Sequence, residues 1–387
     1  MIKTKKLAAA GAVAALTLAA CGSDSDDAEE TDSDSASASA SEAADDEAME
    51  DEAMEEEAEP APSAGFNVGL TYDIGGRGDQ SFNDSAAAGM DRAVAELGVT
   101  STELVPNEDG SNRGELLQLQ ADESELVIGV GFAFVDDVIA ASADNPDVNF
   151  AVIDDAMLDF DNGGVPFADN IAGLTFAEEQ GSFLVGAAAA LQSETGVLGF
   201  IGGVSGFGLI EKFEAGFEAG ALAVNPEIQI QSQYITEFPD FDGFFAPDRA
   251  KEIALSMYDG GADVVYHAAG GSGAGLFEAA LEQSEASGSK VWGIGVDSDQ
   301  FNTVDPAVQE YVLTSMLKRV DTAVFEITSA QVNGEFAAGN TVYDLSVDGV
   351  GYSTTGGFID EFVPQLEEFK AQIVAGDIVV PTEPSGT

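Results

Sequence analysis

Apolar residues are distributed along this chain in three distinct regimes. A single run of fourteen, Leu7 to Ala20, follows three lysines. Residues 22–64 carry almost nothing bulky, and from Phe66 onward short β-rich runs alternate with helical stretches. The runs are Phe66–Tyr72, Leu126–Val130, Val148–Ile153, Val197–Ile201, Gln229–Ile235, Val264–Tyr266 and Val291–Val296, each four to eight residues or slightly less and bounded by turn formers. Between the first two, Asp84–Leu97 reads as a helix that places Met90, Val94 and Leu97 on one face and stops at Gly98. Strand followed by helix, repeated, means right-handed crossovers and parallel sheets covered on both faces. The fold class is therefore α/β. Several strands end in glycine-rich or acidic turns: Asp73-Ile74-Gly75-Gly76, Asp154-Asp155, Gly202-Gly203, Gly270-Gly271-Ser272-Gly273 and Asp297-Ser298-Asp299. In open parallel sheets ligands bind outside the carboxyl ends of the strands, so these turns are the candidate wall of a site.

The first apolar run is too short for a transmembrane helix, and Lys3, Lys5 and Lys6 give it the positive flank of an export signal. It ends in Leu18-Ala19-Ala20-Cys21, which holds the only cysteine of the chain and resembles a lipobox, the cleavage site that precedes a lipidated cysteine. Residues 1–20 are thus expected to be a signal peptide and Cys21 a lipid anchor. Two or three acyl chains hold stably where one does not. Residues 21–64 read as a disordered, self-repelling acidic spacer, because they cannot bury enough apolar area to offset the entropy of ordering.

Charge sharpens the picture. Eighteen of the 71 acidic residues lie between Asp24 and Glu59, and the body beyond them sets 53 acids against 10 bases. A field of that sign repels nucleic acid, anionic lipid and phosphorylated solutes, and it suits a salty medium that screens the repulsion. A lone cysteine excludes an internal disulfide, so stability must come from a large buried core.

Catalytic chemistry has little to draw on. There is no Walker A loop, no G-x-G-x-x-G and no G-x-S-x-G elbow, and His267 is the only histidine. At the end of an apolar run, His267 reads as a structural residue bonded to backbone. Carboxylate pairs such as Asp154 and Asp155 arise readily by chance in so acidic a chain. Arg77-Gly78-Asp79 has the letters of an adhesion motif but sits within a longer turn. No cofactor and no metal are expected.

That longer turn reads Asp73-Ile-Gly-Gly-Arg-Gly-Asp79-Gln-Ser81-Phe82-Asn83 and sets a carboxylate, an aromatic face and a carboxamide at the mouth of the first strand. It resembles the motif D-x-G-x-x-x-D-x-S-F-N of the basic membrane protein, or PnrA-like, family of solute-binding lipoproteins. Val127-Ile-Gly-Val-Gly-Phe132, Asn170-Ile-Ala-Gly-Leu-Thr-Phe-Ala-Glu-Glu-Gln-Gly181, Gly199-Phe-Ile-Gly-Gly203, Lys212-Phe-Glu-Ala-Gly216 and Gly261-Ala-Asp-Val-Val-Tyr-His-Ala-Ala-Gly-Gly271 are similar to family segments and follow in family order, covering roughly residues 66–376. The resemblance implies a type I periplasmic-binding fold of two doubly wound parallel-sheet lobes joined by three crossovers, placed near 171, 316 and 346. Lobe 1 would take 65–171 with about 317–345, and lobe 2 would take 172–316 with about 346–387.

The same resemblance implies a function: the extracytoplasmic receptor of an ABC importer, a monomer without enzymatic activity, tethered to the cell membrane by its lipid anchor. It would bind a purine nucleoside and deliver it to a membrane permease. Residue by residue, Asp73 and Asn83 would bond the ligand, Phe82 would stack on the base and Asp154 would meet the base edge. From the other lobe, Phe244 would supply the opposing ring, Gly270 and Gly271 close backbone, and Asp297 with Lys318 the ribose ligands. The family commonly has F-x-D-P where this chain has Phe244-Phe245-Ala246-Pro247, so Phe238, Phe241 and Phe245 also stand as candidates for the second ring. The rival readings are a receptor on the same fold for another small neutral solute such as a sugar, and a hydrolase using His267 or a carboxylate pair.

Overall fold

The computed structural model describes residues 65–385. Cys21, the signal segment and the acidic spacer lie outside the described residues. The first lobe begins β1 (Asn67–Thr71), α1 (Phe82–Leu97), β2 (Thr100–Leu104), α2 (Arg113–Ala121), β3 (Leu126–Gly129), α3 (Val135–Asp144) and β4 (Asn149–Ile153). A small hairpin, β5 (Leu158–Asp159) with β6 (Val165–Pro166), leads to β7 (Ile171–Phe176). The second lobe runs α4 (Glu178–Gln192), β8 (Val197–Ser205), α5 (Leu209–Val224), β9 (Gln229–Glu237), α6 (Pro247–Asp259), β10 (Val264–Ala268), α7 (Gly273–Ser287), β11 (Trp292–Asp297) and β12 (Val312–Lys318). The chain then returns to the first lobe with α8 (Val320–Asn333) and β13 (Gly339–Tyr343), and ends in the second with β14 (Val350–Tyr352) and α9 (Val363–Ala375).

Two six-stranded sheets result, ordered β13-β7-β4-β3-β1-β2 and β14-β12-β11-β10-β8-β9, and all their pairings are parallel except that of β12 with β14. Each sheet is covered on both faces, which is why its central strands are apolar throughout. On one side of the first sheet Leu117, Phe134 and Val138 pack on Val127, Phe150 and Val152. On the other side Ala86, Met90 and Ala93 of α1 join Leu70, Ile128 and Val324. In the second sheet Val265 and Ile201 meet Met257, Tyr258 and Leu276 of α6 and α7.

Helix α1 starts two residues before its expected bound and stops at Gly98, whose φ of 68° is the left-handed cap anticipated there. Its buried face differs from the expected one. Met90 is buried, but Val94 is 40 % exposed, because α8 approaches along the small residues Ala86, Gly89 and Ala93 instead.

The first two crossovers lie a few residues beyond their expected positions. Strand β7 belongs to the first sheet through its pairing with β4, so the chain first changes lobe after Phe176 rather than near 171. β12 runs on to Lys318, which moves the second change from 316 to Arg319. The third lies between Tyr343 and Val350. Sequence periodicity locates an apolar run without saying which sheet will take it, and this shift has that origin.

Candidate ligand-binding site

The loop from Asp73 to Asn83 is built by its own acids. Asp79 accepts from the backbone N–H groups of Ser81, Asn83 and Asp84 at 3.0, 2.8 and 3.1 Å, satisfying donors at the start of α1 that the helix leaves unpaired. Asp84 accepts from Gly78 and Gln80 in turn. Asp79 thus has a structural task, and Arg77 is bound to Asp91 and Glu103, so the Arg-Gly-Asp triplet offers neither end freely.

With this loop fixed, the carboxyl ends of both sheets face one cleft between the lobes, the place where ligands bind in open parallel sheets. All nine expected residues border it: Asp73, Phe82, Asn83 and Asp154 from the first lobe, and Phe244, Gly270, Gly271, Asp297 and Lys318 from the second. Phe132, Phe213 and Phe245 join them. Of the four candidate second rings, Phe244 and Phe245 reach the cavity. Phe244 packs where Gly203 has no side chain, since a Cβ there would come 2.5 Å from the ring. Phe241 and Phe238 do not line the cavity. Phe241 stands 5.7 Å from Phe132, which itself meets Phe207 of the other lobe at 4.7 Å, and Phe238 packs 5.8 Å from Phe241 with half its surface exposed.

The lobes touch across the cleft through polar contacts. Ser81 Oγ donates to Asp297 Oδ2 at 2.6 Å, Ser298 Oγ donates to the Ser81 carbonyl at 2.8 Å, and Gln300 Nε2 donates to the Gln80 carbonyl at 3.0 Å. His267 is fully buried behind this contact. Its Nε2 donates to Gln300 Oε1 at 2.8 Å, and burial pushes its pKa down to about 4. It is structural, as expected, but its partner is a side chain rather than backbone. Gln300 went unnoticed in the sequence because a glutamine after a strand carries no signal of its own.

Asp154 and Asp297 hold equivalent places at the ends of β4 and β11, and both have left-handed backbone, φ 72° and 64°. Non-glycine residues held there cost energy and gather at functional walls. Between them lies Lys318, 2 % exposed, with Nζ at 2.6 Å from Asp154 and 3.4 Å from Glu178. Glu178, itself buried, also pairs with Lys212 at 3.2 Å. The rings of Phe82, Phe176 and Phe213 stand 5.1, 5.1 and 5.6 Å from the ammonium. Burial opposes the charge of Lys318, but Asp154, Glu178 and Asp297 outweigh it and its pKa is raised. Burial raises Asp154 to about 6 and Asp297 to about 7, in each case against the pull of Lys318. Glu178 and Lys212 were missed because each lies in a helix, far in sequence from the turns that marked the site.

What the cleft can do chemically is recognise donors and hydroxyls between aromatic faces. Among the described residues no group of three or more His, Cys, Asp or Glu is placed to hold a metal ion, and no helix is long and apolar enough to cross a membrane. The family described as ABC transporter substrate-binding protein PnrA-like matches residues 66–383. The CD4+ T-cell-stimulating antigen of Listeria innocua is 34 % identical over 95 % of this chain and 95 % of its own length. The ABC transporter nucleoside-binding protein BmpA of Lactococcus lactis is 33 % identical over 81 % of this chain and 88 % of its own. Among solved structures, an ABC transporter solute-binding protein from Aeropyrum pernix superposes with a TM-score of 0.68 at 26 % identity, covering 82 % of this chain and 94 % of that one. The two-lobed α/β architecture is accordingly the type I periplasmic-binding fold. With a family match over most of its length, the chain belongs to the PnrA-like ABC transporter substrate-binding proteins, a family of binding proteins rather than enzymes.

Proposed function

We propose that this cleft binds a purine nucleoside and that the protein delivers it to the permease of an ABC importer from the extracytoplasmic face of the membrane, tethered through Cys21. The observation that carries the reading is the composition of one cavity: an aromatic ring from each lobe, Phe82 and Phe244, with the carboxylates and ammonium of Asp154, Asp297 and Lys318 on its wall. A base held between two rings gains about 1–3 kcal/mol per stack, and a hydroxyl bonded to a charged group about 1.5–3 kcal/mol. Together they reach the roughly 8 kcal/mol of a micromolar complex after ordering costs. The nucleoside-binding relative from Lactococcus lactis supports the same ligand class.

The pairing of Asp154 with Lys318 modifies the expected roles. Asp154 belongs with Lys318 and Asp297 at the sugar end, and the base edge is left to Asp73 and Asn83. Asn83 spends its Oδ1 on the Asp73 backbone N–H at 3.2 Å, which turns its NH₂ group elsewhere as a donor. A phosphate would meet Asp79, Asp154 and Asp297 with Lys318 already engaged, so nucleotides are excluded. Mass spectrometry of the small molecule released on denaturing the purified protein tests the ligand class. Calorimetry with guanosine, inosine and guanosine monophosphate tests the rest: nucleosides bind, the monophosphate binds far more weakly, and equal affinities at low salt overturn the reading.

A further inference from the structure

Asp73 is held by a residue that no motif pointed to. Arg113, the first residue of α2, donates from Nη2 to Asp73 Oδ1 at 3.0 Å, and its side chain is only 12 % exposed. The same Oδ1 accepts the Ile74 backbone N–H at 2.8 Å, and the Asp73 backbone N–H is tied to Asn83. Both the rotamer and the backbone of Asp73 are therefore fixed. Oδ1 is consumed by the protein, whereas Asp73 borders the cavity and its Oδ2 lies toward Gly131, another wall residue. The guanidinium also sits 5.5 Å from the Phe134 ring, and Asp73 is its ion-pair partner among the described residues. Asp109 and Asp137 feel its charge from the preceding loop and from α3 without pairing to it.

We infer that Arg113 is the positioning residue for base recognition: it holds Asp73 Oδ1 so that Oδ2 is left as an acceptor on the cleft side, and the site selects a base presenting N–H donors, such as guanine or hypoxanthine. This rests on the nucleoside reading above and deepens it. The chemistry follows from what burial does alone. A carboxyl in this position is pushed toward its neutral form by loss of solvent, and the Arg113 charge opposes that push. An ionised carboxylate accepts only, which suits a ring N–H and an exocyclic amino group. Removing the guanidinium removes that opposition and pushes the carboxyl further toward its neutral form, whose hydroxyl is a donor and not an acceptor.

The test compares two nucleosides that differ at that edge. Guanosine carries N–H donors on its ring and amino group, whereas unsubstituted purine riboside carries acceptors alone. In Arg113→Met the Kd for guanosine should rise by about ten-fold or more, the loss of a charge-assisted hydrogen bond, while that for purine riboside stays level or falls. Arg113→Lys, which keeps the charge without the planar fork, should recover part of the guanosine affinity. Equal losses for both nucleosides, or a Lys variant no better than Met, would mean that Arg113 merely supports the fold, and the inference fails while the nucleoside reading survives. If Arg113→Met does not fold, the Lys variant still decides, because a purely structural role gives it no selective loss for guanosine. Failure of the native protein to bind either nucleoside removes the reading and the inference with it.

Discussion

Replacing Lys318 by Met should be the most damaging single change at the site, for electrostatic rather than steric reasons. The ammonium is 2 % exposed and lies among Asp154, Glu178 and Asp297, all buried, with only Lys212 left to offset them when it is gone. Removing one member of a buried pair leaves an uncompensated charge and costs about 3–5 kcal/mol. Domains are stable by only about 5–15 kcal/mol, so this is a large share. At roughly 2 °C per kcal/mol for a body of this size, Tm falls by about 6–10 °C. The cost has a chemical signature. Asp154 already has its pKa raised to about 6 with Lys318 present, and without it protonates more readily. The variant should therefore recover toward native stability as pH falls from 8 to about 6, where Asp154 is protonated in the variant before it is in the native protein, and Asp154→Asn should partly rescue it at pH 8. Thermal melts of the four proteins of this double-mutant cycle, at pH 6 and 8, measure both effects. A Lys318→Met protein as stable as native at pH 8, or a deficit independent of pH, would refute the argument that the cleft carboxylates need this cation.

Four other outcomes follow from the same geometry. Phe82→Ala should weaken nucleoside binding by about 1–3 kcal/mol, ten-fold to over a hundred-fold by calorimetry, with little change in the ligand-free melt. Asp297 has its carboxyl raised to about 7 by burial, so its ionised form costs the fold most above pH 7, and the cost fades as pH falls through 7 toward the ordinary carboxylate value. Asp297→Asn should accordingly melt above native at pH 8 and approach it at pH 5, while nucleoside affinity of the native protein falls over the same interval as its acceptor is lost. Phe207→Ala removes the ring that Phe132 meets across the cleft mouth at 4.7 Å, and stopped-flow should show faster ligand release, several-fold for a pair worth about 0.5–1.5 kcal/mol. Cys21→Ala should shift the protein from the membrane fraction to the soluble envelope fraction or the medium, and retention of the variant on membranes would count against the anchor.

Much of this was legible in the chain because the strands of a doubly wound lobe are continuous apolar runs. The seven runs read from sequence each coincide with a strand of the structure, and β8, β9, β10 and β11 extend further. Apart from the two-residue strands β5 and β6, too short to leave a pattern, the strands that escaped are of two kinds. β2, Thr-Ser-Thr-Glu-Leu, is a sheet edge with one face in solvent, and β13 and β14 are edges as well, so none carries a buried-strand composition. β7 and β12 are buried, but each runs directly into a lobe crossover, where local pattern cannot say whether the chain will turn back or leave. The cavity wall was readable wherever a residue sits on a strand-end turn, as Asp73, Asp154, Gly270 and Asp297 do. Arg113, Glu178, Lys212 and Gln300 act through partners distant in sequence, and their spacing gives no hint of it.

The charge distribution ties these observations together. A body with 53 acids and 10 bases has few cations to place, and surface pairs between exposed groups contribute little, about 0–1 kcal/mol. Most of the cations are spent that way, as in Arg92 with Glu96 or Lys370 with Asp348. The least exposed of those in ion pairs, Lys318 and Arg113, are instead bound to two of the cleft carboxylates, Asp154 and Asp73, where the local dielectric makes a neutralising charge matter most. Lys318 lines the cavity with Asp297, whereas Arg113 reaches it only through Asp73, whose backbone N–H Asn83 accepts. An acidic cleft with both cations engaged in this way repels an anionic solute yet retains acceptors for hydroxyl and N–H donors. Selectivity for a neutral, donor-rich ligand therefore needs no positively charged surface, and it survives in a protein whose exterior is almost uniformly negative. On this argument raising ionic strength should relax the exclusion of nucleotides well before it alters the affinity for nucleosides, because the first is a field effect that salt screens and the second consists of buried contacts that it does not.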